Sequence, residues 1–257
     1  MEMFAQIKKH RFLFEELVKR DFKKKYKRTI LGMGWSMLMP LLTLLVMKFV
    51  FEQFFGRDMA HYTTYLFCGN LLFSWFADST NHGMLSLFNN SGIFSKVNVP
   101  KYMFLVAGSI QTLINFALTL IVFFFFCWLD DIEFTWKFIL LVYPIMTLMF
   151  FNIGIGLILS ALFMFFRDIE YLWRVFLTLL MYGSAIFYTI DSLSPEKQIV
   201  FAVNPIYRHI AYFREVVLDG VVPSIESHLI LAGIAGIAVL IGAFMYWKNN
   251  TKFLYYV

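Results

Sequence analysis

The chain has 257 residues, 60% of them hydrophobic and only 15% charged, with a formal net charge of +5. Soluble domains carry about 25% charged residues, so this chain has too few to coat a globule of its size. Long apolar runs recur throughout, which points to an all-α integral membrane protein and against a soluble enzyme. The basic balance is explained by topology and anionic lipid rather than by nucleic acid, which is not an expected partner.

In chain order, residues 1–30 read as a cytoplasmic amphipathic helix lying in the lipid headgroup layer. Phe14, Val18, Phe22 and Tyr26 recur every four residues, with Leu13 and Leu17 beside them and Lys or Arg on the other faces. The alternative for this segment is a soluble helix docked on a protein partner. The segment has no apolar h-region of a signal peptide. Residues 31–257 then form a membrane domain of six transmembrane helices. The predicted spans are 31–55, 62–88, 102–129, 134–166, 172–190 and 229–247, each near or above the ~20 residues that cross the hydrocarbon. Every polar stretch is shorter than the ~50-residue minimum of a domain, so no separate soluble domain is expected.

Orientation follows from Lys and Arg in the loops. With the N-terminus inside, sixteen basic residues fall on inner segments and five on outer ones. Both termini are therefore expected in the cytoplasm, in a multi-pass protein of the cytoplasmic (inner or plasma) membrane. Lys48 and Glu52, one turn apart in the first span, are expected to pair or snorkel. Small-residue pairs predict close helix packing: Gly156 with Ser160, Ala232 with Gly236, and Ala238 with Gly242. Pro40 and Pro144 are candidate kinks.

Between spans five and six, residues 191–228 read as two short outer helices. Ser194-Pro195 and Asn204-Pro205 are start signals, and Gly220 is a stop. In the second helix Ile206, Ile210, Phe213 and Val217 make an apolar face.

No GxxxxGK[ST] phosphate loop occurs in the sequence, nor HExxH, CxxC or GxSxG. No ATPase activity or other catalytic constellation is expected of this chain, and no metal site. Cys68 and Cys127 fall in apolar runs and read as small buried hydrophobes. Asp78 in span two is costly in hydrocarbon, by roughly 2.5–3.5 kcal/mol on insertion scales. With Ser74, Asn81 and His82 it forms a candidate polar stripe. The stripe reads as a polar helix–helix contact or passive lining in preference to a proton relay. Aromatic residues make up 20% of the chain, enough for interfacial belts; a lining of a conduit is the second reading, and lipid or core is the better assignment for any single ring.

Four stretches carry a family resemblance. "LVKRDFKKKYKRTILGMGWSMLMPLL", "NNSGIFSKVNVPKYMFLVA", "FRDIEYLWRVFLTLLMYGSAIFY" and "NPIYRHIAYFREVVLDGVVP" occur in that order. Together they resemble the membrane subunit of ABC-2-type polysaccharide exporters, which move O-antigens, teichoic acids and related glycans. In the first stretch the resemblance rests on Arg20, Asp21, Leu31, Gly32, Trp35 and Pro40.

The resemblance implies a homodimer of permeases bound to two copies of a separate ABC ATPase. ATP and Mg would belong to that ATPase, with no cofactor in this chain. It implies an ATPase-coupling loop at about 90–102, here Phe94, Lys96, Val97, Pro100 and Lys101. It implies an inner interface where membrane lipids, ATPase and a polyprenyl-diphosphate-linked glycan meet, here Arg20, Asp21, Lys23, Lys24, Lys25, Lys27 and Arg28. It implies an outer gate, here Asn204, Pro205, Tyr207, Arg208, Phe213 and Arg214. One departure is visible: the family's Phe-Pro-Arg-Glu is here Val99, Pro100, Lys101 and Tyr102, so the acid is lost. Two other cargo assignments compete with a glycan: an ABC-2 exporter of drugs or lipids, and an ion-coupled carrier using Asp78 and His82. A membrane-embedded transferase is disfavoured by the lack of clustered carboxylates.

Overall fold

The computed structural model describes residues 11–26, 30–56, 59–97, 99–190 and 193–256. Lys27 and Arg28 of the expected inner interface lie outside the described residues, as do the side chains of Phe22, Lys24, Lys25 and Tyr26. Among the described residues the chain forms ten α-helices and no strand. These are α1 (Arg11–Tyr26), α2 (Trp35–Phe51), α3 (Tyr62–Asn89), α4 (Ser91–Phe94), α5 (Tyr102–Leu129), α6 (Val142–Phe165), α7 (Ile169–Tyr182), α8 (Pro195–Val203), α9 (Pro205–Val217) and α10 (Ile225–Asn249).

Four helical stretches are long and apolar enough to cross a bilayer: Gly32–Gly56, Tyr102–Leu129, Trp136–Phe165 and Ile225–Asn249. The first contains α2, and a wider π turn at Glu52–Gly56 prolongs it. The Lys48 ammonium lies 3.6 Å from the Glu52 carboxylate there, as the one-turn spacing predicts.

The second expected span, α3, has 28 residues and extends about 42 Å at 1.5 Å per residue. It is less apolar than the four, and its position explains why. Twenty of its 28 residues are buried, so most of its side chains meet other helices, although Ser74 and Asp78 are exposed. Helices α2, α5, α6, α7 and α9 all touch it.

The fifth expected span, Leu172–Ile190, is not one helix. Helix α7 stops at Tyr182 after 14 residues, about 21 Å, short of the ~30 Å of hydrocarbon. Beyond it the chain unwinds, and Ala185 takes a left-handed conformation with φ 49°. The run reads as a span because the unwound part is as apolar as a helix. Ala185, Ile186 and Phe187 are all buried, but against protein.

Glycines set the closest contacts. A Cβ on Gly83 of α3 would sit 2.9 Å from the Gly156 Cα of α6. One on Gly242 of α10 would sit 2.7 Å from the Gly154 carbonyl oxygen. Distances under 3.0 Å are not tolerated, so α3, α6 and α10 pack backbone to backbone. The Ser160 hydroxyl adds a polar clasp at that seam, 3.5 Å from Ser86 Oγ and 2.7 Å from Tyr246 Oη. Two of the three expected small-residue pairs thus lie in the seam. Ala232 and Gly236 do not: they face away from it, on the exposed side of α10. Leu231, Ala235, Ala238, Gly242 and Tyr246 take the buried side instead, at the 3.6-residue period.

Pro40 sits inside α2, which continues through it. Pro144 falls in the first turn of α6, where a tighter 3-10 stretch, Trp136–Leu141, gives way to the α-helix. Cys68 and Cys127 are free and fully buried.

Helix α1 packs on α5 of its own chain. Leu17 is its most buried residue, in a cluster with Leu87, Phe94, Val99 and Phe104. Packing within the chain itself therefore takes up part of the apolar face assigned to lipid.

Gly154→Val should break the α6–α10 seam, since the added Cβ overlaps the Ala238 backbone. Overpacking of this kind costs about 1–3 kcal/mol. The expected result is a lower melting temperature of the purified protein, with Gly233→Val, whose Cβ meets open space, as the unaffected control.

Candidate functional site

Three regions carry the residues singled out from sequence: the end of the bundle expected to face inward, here called the inner end, a cleft between helices, and the opposite or outer end.

At the inner end the chain turns from α3 through α4 into α5. Asn90 organises the turn. Its amide nitrogen donates to the Ser86 carbonyl at 2.8 Å, and its oxygen accepts from Arg20 at 2.7 Å. Arg20 also holds Asp21 at 2.7 Å, so this pair ties α1 to the turn. The five expected coupling residues divide. Phe94 is buried beneath the turn, while Lys96 and Val97 are exposed on it. Pro100 is half-buried. Lys101 donates to the Asn250 side chain at 2.9 Å and sits 5.7 Å from the Phe94 ring centre. Burial pushes its ammonium pKa below the ordinary lysine value. Lys101 thus anchors the far end of α10, a contact across 149 residues that spacing does not reveal. Lys23 is exposed on α1.

Within the bundle, α2, α3 and α5 enclose a cleft of about 410 Å³. Helix α2 contributes Trp35, Ser36, Met39 and Thr43; α3 contributes Asn70, Ser74, Trp75 and Asp78; α5 contributes Thr112, Asn115, Phe116 and Thr119. The expected polar stripe therefore divides. Ser74 and Asp78 line this cleft. His82 turns to α5, with its ring against Gly108, where a Cβ would collide with Nδ1. Asn81 is half-buried outside the cleft lining.

At the outer end, α8 and α9 form the two short helices that the Pro signals predict. Asn204 caps α9, accepting from Ile206 N at 2.9 Å and Tyr207 N at 3.4 Å. Its amide nitrogen donates to the Gly183 carbonyl at 2.8 Å and to Ser184 Oγ at 3.0 Å. Ser194 makes no such side-chain cap. Pro205 takes the first position of α9, and Gly220 follows the helix with φ 59°. Ile206, Ile210, Phe213 and Val217 are all buried, as their spacing predicts. Arg208 donates to the Ala202 carbonyl at 2.6 Å, linking α9 back to α8. Tyr207 borders a second cavity, of about 540 Å³, that also reaches His61 and Glu215.

Arg214 reads from sequence as an outer loop charge, but it is only 7% exposed. It donates to the carbonyls of Ala185 at 3.0 Å, Ile186 at 3.1 Å and Tyr65 at 3.2 Å, and stacks on the Tyr65 ring at 3.4 Å. Tyr62 and Tyr65 complete the set with hydroxyl donations to Phe187 at 2.9 Å and Tyr188 at 2.7 Å. Sequence reasoning missed both tyrosines, and His209, which is fully buried and bridges Pro205 and Thr147. The available signal was the pair of tyrosines three residues apart at the start of a span, Tyr62 and Tyr65.

Residues 13–218, most of the chain, match the family model described as "ABC-2 type transporter". The chain belongs to the ABC-2 transporter family. An ABC-2 protein of this kind is a membrane subunit that works with a partner ATPase. Among its relatives is a Klebsiella pneumoniae protein called "O-antigen export system permease protein RfbA". It is 27% identical over 249 residues, covering 94% of this chain and 95% of the relative. A Myxococcus xanthus protein of the same name is 21% identical over 255 residues, covering 98% of each. A second Klebsiella pneumoniae protein so named is 26% identical over 216 residues. The matches span the inner turn, the cleft and the outer helices alike.

Arg214→Met should leave several buried carbonyls without donors, each costing about 1–3 kcal/mol. The expected outcome is a large loss of folded protein in detergent. Arg214→Lys, with a charge but no fork, should recover part of the melting temperature. Equal melting of Met and wild-type proteins would show that these bonds contribute nothing net.

Proposed function

We propose that this chain is the permease of an ATP-driven exporter of an O-antigen-type polysaccharide. The observation that carries the reading is coverage. Relatives named as O-antigen export permeases align over nearly their full length and nearly all of this chain. A drug or lipid cargo has no comparable support.

In this reading the chain crosses the cytoplasmic membrane six times, with both termini inside. The polar α3 crosses behind a shield of other helices. Helix α7 crosses in part, and the unwound stretch with α8 and α9 completes the outer half. Two copies form the conduit, and two ATPases bind the inner face. The cargo is a glycan on a polyprenyl-diphosphate lipid. ATP and Mg act on the partner, and this chain supplies the path.

The inner turn is suited to receive force. Lys96 and Val97 are the exposed pair a partner would meet. Phe94 beneath them packs into the inner cluster, and Asn90 and Lys101 fasten the turn to α1 and α10. A push on the turn would thus be shared by three helices. The outer helices would act as the gate, with the Arg214 contacts holding the closed form.

Two measurements test the reading. Deleting the gene should remove surface polysaccharide and leave its lipid-linked precursor in the cell. Lys96→Glu with Val97→Asp should reduce co-purification of the cognate ATPase severalfold while the permease still inserts. Normal surface polysaccharide in the deletion strain would sink the cargo assignment. Undiminished ATPase capture by the double variant would sink the docking assignment.

A further inference from the structure

Beyond α10 the chain folds back onto the bundle. Asn249 ends the helix, and Lys252–Tyr255 form one short 3-10 turn. A turn of four residues does not hold itself, because nucleation costs more than its few bonds return. Contacts with the rest of the chain must fix it, and they lie at its middle and at both ends.

Phe253 holds the middle and is fully buried. It enters the inner cluster that also contains Phe94 and Val99 of the turn between α3 and α5. Its ring centre lies 5.4 Å from that of Tyr246, edge on, and 5.9 Å from that of Phe165. At the near end, Lys101 donates to the Asn250 carbonyl and to its side chain, the latter at 2.9 Å. Lys101 closes the inner turn and stands at the start of α5. At the far end, Arg167 donates to the Tyr256 carbonyl at 3.4 Å, and the Tyr256 ring meets Phe165 edge on at 4.9 Å. Arg167 is itself placed by two rings, its guanidinium lying 4.0 Å from the Phe88 centre and 4.9 Å from the Phe163 centre. It stands in the link between α6, which ends at Phe165, and α7, which begins at Ile169.

Residues 250–256 therefore touch the inner turn at one end and the root of α7 at the other, with an aromatic pin between. Sealing the cluster would need the pin alone. The two polar contacts are solvent-exposed, where net gains are small, so their consequence is geometric: they fix where each end of the segment sits. A displacement of the turn is then passed on through packed side chains. Helix α7 is suited to respond, since within its own chain it buries just Trp173 and Leu177. We propose that this segment is a strut carrying the motion of the inner turn to α7, with Phe253 as its positioning residue. The proposal rests on the docking of the partner ATPase at Lys96 and Val97.

The test uses the full chain with its cognate ATPase in nanodiscs. Val175, 71% exposed on α7, is changed to cysteine and labelled with an environment-sensitive fluorophore; the two native cysteines are buried. The readout is the change in emission on adding ATP with vanadate, alongside ATPase co-purification and melting temperature. The expected result is a clear change in the otherwise wild-type complex, reduced severalfold by Phe253→Ala and restored by Phe253→Leu. Arg167→Gln, at an exposed site, keeps the test open should the alanine variant not fold. It should reduce the emission change while ATPase capture and melting stay at their wild-type values. Both changes release the same segment, so the double variant should lose no more than the more affected single variant. No emission change in the wild-type complex overturns the proposal, as does a full change in Arg167→Gln or in folded Phe253→Ala. Independent effects that accumulate in the double variant, or loss of ATPase capture in Arg167→Gln, overturn it too. The docking assignment is scored apart, by ATPase capture with the Lys96→Glu, Val97→Asp variant, so the two readings fail distinguishably.

Discussion

A peptide carbonyl inside a bilayer must find a donor, and water is not there to provide one. Helices meet this demand internally, so the stretch after α7 that abandons helical form governs much of the design around it. Residues 183–190 leave α7 and expose a run of carbonyls. Arg214, Tyr62, Tyr65 and Asn204 bring donors to them from α9, from α3 and from the junction between the outer helices. That requirement places aromatic hydroxyls at the start of α3. It also draws a guanidinium into the interior, where carbonyl dipoles and the Tyr65 ring face supply negative potential. The outer helix α9 is therefore built into the protein core, held by the same bonds that seal the end of α7.

The same accounting explains α3. A helix this polar would be poorly placed against lipid, yet it is the best surrounded element in the chain. Its polar side chains face the cleft, Ser160 of α6 through Ser86, and Asp130 at the end of α5, which accepts from Thr64 at 2.5 Å. Burial by neighbouring helices substitutes for hydropathy.

Much of this was legible in the sequence. The Asn204-Pro205 signal marks a real cap, Gly220 a real stop, and Ile206 to Val217 a real buried face, because these depend on local geometry. Gly156 and Ala238 with Gly242 were legible as packing sites. Ala232 with Gly236 has the same spacing but faces outward, since spacing alone does not say which stripe of a helix meets a partner. Counting charges placed Arg214 outside, because a count carries no depth. The unwound end of the fifth span was hidden because apolar residues look alike in a helix and in coil sealed by protein. Lys101 and Lys96 read as equivalent basic residues of one loop, but a distant asparagine distinguishes them. The cleft was half visible: Ser74 and Asp78 were in view, whereas the hydroxyls of α2 and α5 that complete it needed the third dimension.

The glycine contacts between α3, α6 and α10 have a mechanical consequence. Backbones that touch without intervening side chains have no soft layer to shear, so these three helices behave as one stiff slab. In the export reading, movement would then fall to elements seated on the slab through longer side chains, the outer helices with α2 and α7. Helices α2 and α7 carry large outward apolar faces, with Met39 and Phe49 on one and Leu172, Val175 and Leu179 on the other. The division into frame and moving parts is thus set by where the chain uses residues with no side chain at all.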